Sequence, residues 1–298
     1  MIRVKIPATS ANLGAGFDCL GLAVDLYNYV DMDFCDHVVI SSSDNTPVPT
    51  GKNNLIYSSA EHLFELCGKK LDGLKIIQQN NIPMTRGLGS SSACIIGGLV
   101  GANTLLGNQF SKDELVNIAS EIEGHPDNTT PALHGGIVTA VLDDSKVFWV
   151  KQEVKNRLKL IAIIPDFQLS TVEARKCLPN QVSHMDARYN LSRAALFSAS
   201  LLQGKFENIK VAVNDKLHQP YRMGLIKNGK EVFQKAYGLD AYGVYISGAG
   251  PTIMAMIDDD NTIFVNEMRA YLNSLGLTGW EMKELAIDNI GTTVENVK

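Results

Sequence analysis

The stretch TRGLGSSSACIIGG, residues 85–98, constrains the fold more than any other part of the sequence. A short apolar run, LKIIQ at 74–78, comes before it and predicts a strand. Small and apolar residues follow it at helical spacing from Ser90 to Leu106, and Gly107 predicts the end of that helix. The chain must therefore pass from a strand, through a glycine- and serine-rich turn, into a helix. The backbone N–H groups of such a turn converge, and the helix N-terminus adds partial positive charge, so the turn favours a bound anion.

This turn differs from the common nucleotide-binding loops. It lacks the GK[ST] ending of the phosphate-binding P-loop. Serine stands where the dinucleotide fingerprint has its third glycine, and Pro83 disturbs the preceding strand. No GxSxG pattern surrounds these serines, which argues against a hydrolase. Taken alone, the turn is as compatible with a well-capped helix start that binds nothing as it is with an anion-binding site.

The rest of the chain mixes strands and helices without strict alternation. Further strands are predicted at 2–6, 22–34, 38–41, 137–142, 147–150, 158–165, 242–246 and 252–257. Further helices are predicted at 54–67, 111–123, 187–202 and 262–274. Ser111 with Glu114, and Ser170 with Glu173, have the spacing of capping boxes. This pattern predicts an α+β protein in two parts, which we place at residues 1–153 and 154–298.

The composition is typical of a soluble globular protein. Of the 298 residues, 45% are hydrophobic and 20% are charged, and the formal net charge is −5. This acidic balance argues against nucleic acid or an anionic membrane as a partner, and no apolar run has the length of a membrane span. Five scattered cysteines without a CxxC pair indicate reduced thiols. We therefore expect a cytoplasmic protein that binds neither nucleic acid nor a membrane.

Three other segments concentrate polar residues and glycines. They are PATSANLGAGFDCLG at 7–21, EIEGHPDNTTPALHGG at 121–136 and SGAGPT at 247–252. Each has a plain structural interpretation: a turn, a solvated helix end and a hairpin, respectively. These three segments and the glycine- and serine-rich turn are harder to explain in that way when all four occur in one chain. Together they predict a binding site.

These segments resemble the motifs of the GHMP kinases, the family of galactokinase, homoserine kinase, mevalonate kinase and phosphomevalonate kinase. PMTRGLGSSSA at 83–93 resembles the family's phosphate loop, and SGAGPT resembles its third motif. The resemblance implies a two-domain architecture, with an N-terminal domain like ribosomal protein S5 domain 2 and a ferredoxin-like C-terminal domain. It also implies ATP as the phosphoryl donor, with its phosphates held mainly by backbone amides. The implied ATP-binding residues are Pro83, Met84, Thr85, Arg86, Gly87, Leu88, Gly89, Ser90, Ser91, Ser92 and Ala93.

Asn54 resembles the family's adenine-pocket asparagine. It also stands immediately before the predicted helix NLIYSSAEHLF, where it could serve only as a helix cap. Both interpretations remain open at this stage.

Within the family, the first motif and EGHPDNTTPAL are most similar to those of the homoserine kinases, which implies L-homoserine as the substrate. A zwitterionic amino acid needs a cation for its carboxylate and an acceptor for its ammonium group. The implied substrate-binding residues are Asn12, Asp18, His125, Asn128, Thr171, Arg175, Arg222 and Gly248. Asp18 is the expected ammonium partner, and Asp127 is an alternative. Relatives of this kind also suggest a homodimer.

The same resemblance implies a magnesium ion held by Glu121 and Ser91, with Glu123 as the alternative carboxylate. Asn128 stands where other members of the family carry a catalytic aspartate. Because an amide takes no proton at neutral pH, Asn128 can orient the substrate hydroxyl but cannot act as its base. Glu121, Ser91 and Asn128 are thus the predicted catalytic residues, in a direct phosphoryl transfer.

Two rival functions remain. The first is a sister kinase that acts on mevalonate, shikimate or a sugar. The second is a relative that has lost catalysis and only binds a ligand.

Overall fold

The computed structural model describes residues 1–153 and 158–297. Within them the chain forms eleven strands: β1 (Ile2–Ala11), β2 (Leu20–Phe34), β3 (Val39–Ser42), β4 (Leu74–Gln79), β5 (Ile137–Asp143), β6 (Lys146–Gln152), β7 (Leu158–Ile164), β8 (Gly243–Ile246), β9 (Ile253–Asp258), β10 (Glu281–Leu285) and β11 (Thr293–Asn296). The same residues form ten α-helices: α1 (Leu55–Leu66), α2 (Ser90–Leu105), α3 (Lys112–Glu123), α4 (Pro126–His134), α5 (Thr171–Lys176), α6 (His184–Gln203), α7 (Ile209–Ala212), α8 (Gln219–Arg222), α9 (Gly229–Gly238) and α10 (Phe264–Ser274).

The first sheet carries the motif-bearing loops of the N-terminal part. Its strands run in the order β11-β1-β2-β4-β3, and β5 and β6 extend it from the start of β2. Helix α2 lies on this sheet. A Cβ at Gly97 or Gly101 would touch side chains of β1 and β2, so glycine lets the helix approach the strands closely. This close packing fixes the N-terminus of α2 at the end of the sheet.

The second sheet has the antiparallel order β10-β7-β9-β8. From Leu160 to Ile164, β7 is apolar on both faces, and all five of these residues are buried. Leu160 and Ala162 join the core of the first sheet, whereas Ile161 and Ile163 join a second core with α9 and α10. The first of these cores continues without a break from one sheet to the other, so the two parts are packed firmly together.

The end of the chain returns to the first sheet. Strand β11 pairs antiparallel with β1, with Ile2 opposite Asn296. The sequence prediction placed these last residues in the second part, whereas the structure pairs them with the first strand. The predicted junction, between 153 and 154, lies at the edge of 154–157, which are outside the described residues.

The local signals of the sequence predicted the helix starts well. Both capping boxes are present, at Ser111 with Glu114 and at Ser170 with Glu173. The α+β fold is confirmed. Six elements were not predicted: α4, which begins at a proline, the helices α7, α8 and α9, and the short strands β10 and β11. Among the described residues, no helix combines the length and the apolar character that crossing a membrane requires.

Candidate active site

The glycine- and serine-rich turn ends at the N-terminus of α2, as predicted. Gly89 is the N-cap residue and has a left-handed conformation with φ of 71°. A side chain here would also collide with the hydroxyl of Thr9, so only glycine fits. Ser90, Ser91 and Ser92 form the first turn of the helix. The backbone N–H groups of this first turn have no partner within the helix and can receive an anion.

The SGAGPT turn holds the phosphate loop in place. Ser247 Oγ donates to the carbonyl of Gly87 at 2.6 Å, and the backbone N–H of Thr252 donates to the carbonyl of Arg86 at 3.2 Å. The backbone N–H of Gly248 also donates to the carbonyl of Ala11 at 3.0 Å. The third motif thus ties the second sheet to both the phosphate loop and the end of β1.

The segment EIEGHPDNTTPALHGG places three side chains at the start of α4. His125 is the N-cap residue, and its Nδ1 lies 2.6 Å from Oδ1 of Asp127, which is 1% exposed. Burial by itself would lower the pKa of His125, but the hydrogen bond and the charge of Asp127 raise it overall. Asn128 Oδ1 accepts from Thr9 Oγ1 at 2.7 Å, and its Nδ2 donates to Asp127 Oδ1 at 3.3 Å. The amide of Asn128 is therefore held in one orientation.

Glu123, rather than Glu121, faces the phosphate loop. Its carboxylate accepts from Ser91 Oγ at 3.2 Å and from Ser92 Oγ at 3.0 Å. Glu121 is exposed and does not line the cleft. The structure therefore does not bring Glu121 to the site predicted for it, and the geometry favours Glu123, the alternative.

The first motif forms a tight loop that presents Asp18. Asn12 and Asp18 have left-handed backbone conformations, with φ of 70° and 53°. Asn12 Oδ1 accepts from the backbone N–H of Asp18 at 3.0 Å, and its Nδ2 donates to the carbonyl of Gly248 at 2.8 Å. Asn12 lines the cleft, but its amide braces this loop against the third motif.

Asp18 and Arg175 form an ion pair within the cleft. Arg175 Nη2 lies 2.8 Å from Asp18 Oδ1, and Nη1 lies 3.2 Å from Oδ2. About a third of each side chain is exposed, so the pair is open to solvent and contributes little to stability. The predicted ammonium partner and one predicted carboxylate partner thus neutralise each other in this structure.

Arg222 is the buried member of the arginine pair, with 1% exposure. Its Nε donates to the carbonyl of Ala174 at 3.3 Å, and its Nη1 donates to the carbonyl of Gly248 at 3.0 Å. None of the described residues accepts a hydrogen bond from Nη2. Burial, and then the neighbouring charge of Arg175, lowers the pKa of Arg222. Two guanidinium groups close together, one of them with free N–H donors, are suited to an anion.

These residues line one cleft of about 310 Å³ between the two sheets. The predicted residues that line it are Asn12, Asp18, Met84, Thr85, Arg86, Gly87, Gly89, Ser90, Ser91, Ser92, His125, Asn128, Thr171, Arg175, Arg222 and Gly248. One atom from each of Asp18, His125 and Asp127 lies within 4.8 Å of the others, a cluster that could hold a cation. The cleft thus combines an anion-binding loop, an acidic cluster and two arginines.

Five predicted residues do not line this cleft: Asn54, Pro83, Leu88, Ala93 and Glu121. Leu88 and Ala93 are buried in the core behind the loop, and Pro83 lines a separate recess. Asn54 Oδ1 accepts from the backbone N–H of Ile56, and its Nδ2 donates to the carbonyl of Pro49. The oxygen of this amide caps α1 and its nitrogen binds the preceding loop, so the structure favours the cap over the adenine contact.

The structure adds cleft residues that sequence reasoning missed. Cys94 and Leu169 line the cleft, as do Ala11, Ala249 and Gly250. Burial raises the pKa of Cys94 to about 11, so it is a neutral thiol and not a nucleophile at neutral pH. Cys94 could have been found because it lies one helical turn after the loop serines. Leu169 lies on an irregular segment and carries no such signal.

Comparison with known proteins identifies the family. Residues 54–136 match the GHMP kinases N terminal domain, and residues 197–274 match the GHMP kinases C terminal domain. The chain belongs to the GHMP kinase family. This confirms the two-domain GHMP architecture, and the protein is an ATP-dependent small-molecule kinase.

Relatives of this GHMP kinase match it over nearly the whole chain. Homoserine kinase from Clostridium beijerinckii is 47% identical over 298 residues, which cover 99% of this chain and 98% of the relative. The crystal structure of homoserine kinase from Cytophaga hutchinsonii superposes with a TM-score of 0.90 at 28% identity, covering 99% of this chain and 97% of that one. Mevalonate kinase from Methanococcus jannaschii has a TM-score of 0.72 at 15% identity, over 96% of this chain and 98% of that one, a likeness of fold alone.

Proposed function

We propose that this GHMP kinase transfers the γ-phosphoryl group of ATP to the side-chain hydroxyl of L-homoserine, forming O-phospho-L-homoserine for threonine biosynthesis. The observation that carries the proposal is the charge pattern of the cleft. The carboxylates of Asp18 and Asp127 line the same cleft as Arg175, Arg222 and the phosphate loop, and Asp18 is paired with Arg175. This pattern suits a small molecule that carries both an ammonium group and a carboxylate. The homoserine kinases among the relatives support the same substrate.

The phosphates of ATP would lie at the N-terminus of α2. Backbone N–H groups of the turn and the first helical residues would hold them, together with the hydroxyls of Ser90 and Ser91. A magnesium ion would suit Ser91 and Glu123, because their side-chain oxygens lie within 3.2 Å of each other and Mg²⁺ prefers oxygen ligands. When bound, the ion would neutralise phosphate charge during transfer. Ser91 is kept from the predicted pair, and Glu123 takes the place of Glu121.

L-Homoserine would replace the ion pair between Asp18 and Arg175 with its own two charges. Its carboxylate would bind Arg175 and the free Nη2 of Arg222, and its ammonium group would bind Asp18 with Asp127 nearby. Thr171, His125 and Gly248 line the same space and remain proposed substrate contacts. Binding both charged ends leaves the hydroxyl free to reach the phosphate loop.

The proposal also includes a homodimer, which light scattering in solution can test.

The substrate hydroxyl would transfer its proton without a protein base. Asn128 is held by Thr9 and Asp127, and its amide would orient the hydroxyl. In a phosphoryl transfer with a loose transition state, the hydroxyl loses its proton late, and here a phosphate oxygen would accept it. Catalysis would then depend on positioning and charge stabilisation.

Asn128→Asp tests this direct transfer. We expect kcat to fall about tenfold, because the new carboxylate repels both Asp127 and the phosphates of ATP. The measurement is kcat between pH 5.5 and 9, with Asn128→Ala as the control for loss of the amide. A rate that instead rises several-fold, with a new ionisation below pH 7, would show that a base at this position helps and would contradict direct transfer.

The substrate itself is tested by a coupled assay of ADP formation with ATP and Mg²⁺. The alcohols are L-homoserine, L-serine, L-threonine, mevalonate, shikimate and galactose. We expect strong turnover with L-homoserine alone. Turnover only with a substrate that lacks an ammonium group would support kinase activity but contradict an amino-acid substrate. No turnover with any of the six, while ATP still binds, would favour a ligand-binding relative without catalysis.

A further inference from the structure

A histidine that does not line the cleft lies behind the arginine pair. His218 is fully buried, with 0% exposure, and precedes Arg222 by four residues. Its Nε2 lies 2.8 Å from the carbonyl oxygen of Gly14, and its Nδ1 lies 3.1 Å from Nη1 of Arg222. A carbonyl only accepts and a guanidinium only donates, so the ring satisfies both contacts in one form. That form is the neutral imidazole with its proton on Nε2.

The surroundings of His218 maintain this neutral form. Burial lowers the pKa of His218, and the charge of Arg222 adds to this effect, while the charges of Asp215 and Asp18 and the hydrogen bond to Gly14 oppose it without reversing it. Asp215 Oδ2 lies 3.6 Å from Nε2. Its carboxylate is already engaged by the backbone N–H groups of 217–219. Asp215 therefore fixes the backbone around His218 without charging the ring.

Phe17 covers the other side of the imidazole. The two rings stack with their centroids 5.2 Å apart. The guanidinium carbons of Arg175 and Arg222 lie 5.5 Å and 5.3 Å from the centroid of Phe17. The arginine pair thus rests against one aromatic ring, and on this ring a guanidinium could slide or rotate. The direction in which the N–H groups of the guanidinium point must therefore be set by hydrogen bonds.

We propose that His218 is the positioning residue that directs Nη2 of Arg222 into the cleft for the carboxylate of the amino-acid substrate, an inference that rests on the proposed function. Nη1 of Arg222 is held between His218 and the carbonyl of Gly248, which leaves Nη2 for the ligand. The second hydrogen bond of the ring, to Gly14, holds the loop that carries Asp18. One imidazole thereby connects the carboxylate side of the site with the ammonium side.

Two substitutions separate the two hydrogen bonds. In His218→Asn, the side-chain oxygen takes approximately the place of Nδ1 and can accept from Arg222. In His218→Gln, the side-chain nitrogen takes approximately the place of Nε2, keeps the bond to Gly14 and offers Arg222 no acceptor. We expect His218→Gln to raise KM for L-homoserine about tenfold, while KM for ATP and kcat change less than threefold. His218→Asn should keep KM for L-homoserine within threefold of the wild type.

A substrate without the carboxylate distinguishes positioning from general damage. Homoserinol carries an alcohol in place of that carboxylate and keeps the reacting hydroxyl. We expect His218→Gln to leave kcat/KM for homoserinol within twofold of the wild type, since this substrate makes no ion pair with Arg222. Equal losses for both substrates, or equal effects of the two substitutions on L-homoserine, would overturn the proposal.

A spectroscopic measurement tests the geometry without any substrate. We expect ¹⁵N NMR of the imidazole in the wild-type protein to show the neutral form with a proton on Nε2 from pH 6 to 8.5. A proton on Nδ1 in this range would leave no acceptor for Arg222 and would overturn the inference even if both variants failed to fold. If the wild type turns over none of the alcohols in the substrate assay, the proposed function fails, and the NMR result still decides whether His218 holds Arg222.

Discussion

Replacing Glu123 by glutamine should lower kcat at saturating ATP and L-homoserine by about 100- to 1000-fold, the usual effect of losing one group that stabilises charge in the transition state. Glu123 is the carboxylate that meets the hydroxyls of Ser91 and Ser92 at the start of α2. The amide keeps the size of the side chain and removes its charge, so its affinity for Mg²⁺ falls. The measurement is kcat as a function of Mg²⁺ concentration, with the activation curve shifted to higher concentration in the variant.

Glu121→Gln is the matched control. It makes the same chemical change on the same helix, two residues earlier, at an exposed position. We expect its kcat and its Mg²⁺ activation to stay within twofold of the wild type. A large loss in Glu121→Gln together with a small loss in Glu123→Gln would restore the prediction made from the sequence and contradict the geometry of the cleft.

Replacing Arg222 by methionine should raise KM for L-homoserine by about 10- to 100-fold, because a hydrogen bond between charged groups contributes about 1.5–3 kcal/mol. Methionine fills much of the space beside Phe17 and cannot donate to a carboxylate. The carbonyls of Ala174 and Gly248 also lose one donor each, and Nδ1 of the buried His218 loses its contact with Nη1, which together lower the free energy of unfolding by about 1–3 kcal/mol. The measurements are KM for each substrate and a urea denaturation curve.

The control for this variant is Arg188→Met, at an exposed arginine on α6. Its KM values and its stability should match those of the wild type. If Arg222→Met left KM for L-homoserine unchanged and lowered only kcat, Arg222 would act on the transferred phosphoryl group and not on the carboxylate.

The choice between Glu121 and Glu123 could have been made from the sequence. The buried residues of α3 are Leu115, Val116, Ala119 and Ser120. Glu123 lies four residues after Ala119 and so continues the buried stripe, whereas Glu121 is turned about 200° away at 100° per residue. The resemblance to the family indicated an acidic residue near this helix end, and helical periodicity would have indicated which one.

Other features depend on contacts between distant parts of the chain. Strand β11 has four exposed residues and no alternation, so only its pairing with β1 defines it. His218 is similar: its spacing from Arg222 is that of neighbours on a helix, but its second partner, Gly14, is 204 residues away in the sequence. Motifs and caps predict where the site residues lie, because these signals are local. They do not predict which buried side chain holds another in position.

The ion pair between Asp18 and Arg175 has a consequence for selectivity. A ligand with only one charge could separate these side chains only by leaving one of them without a partner, whereas a ligand with both charges provides a partner for each. Since the pair is partly exposed, separating it costs about 1 kcal/mol or less. Asp18 and Arg175 therefore give each other the opposite charges that an amino acid would provide. Molecules with a single charge are disfavoured before their hydroxyl reaches the phosphate loop.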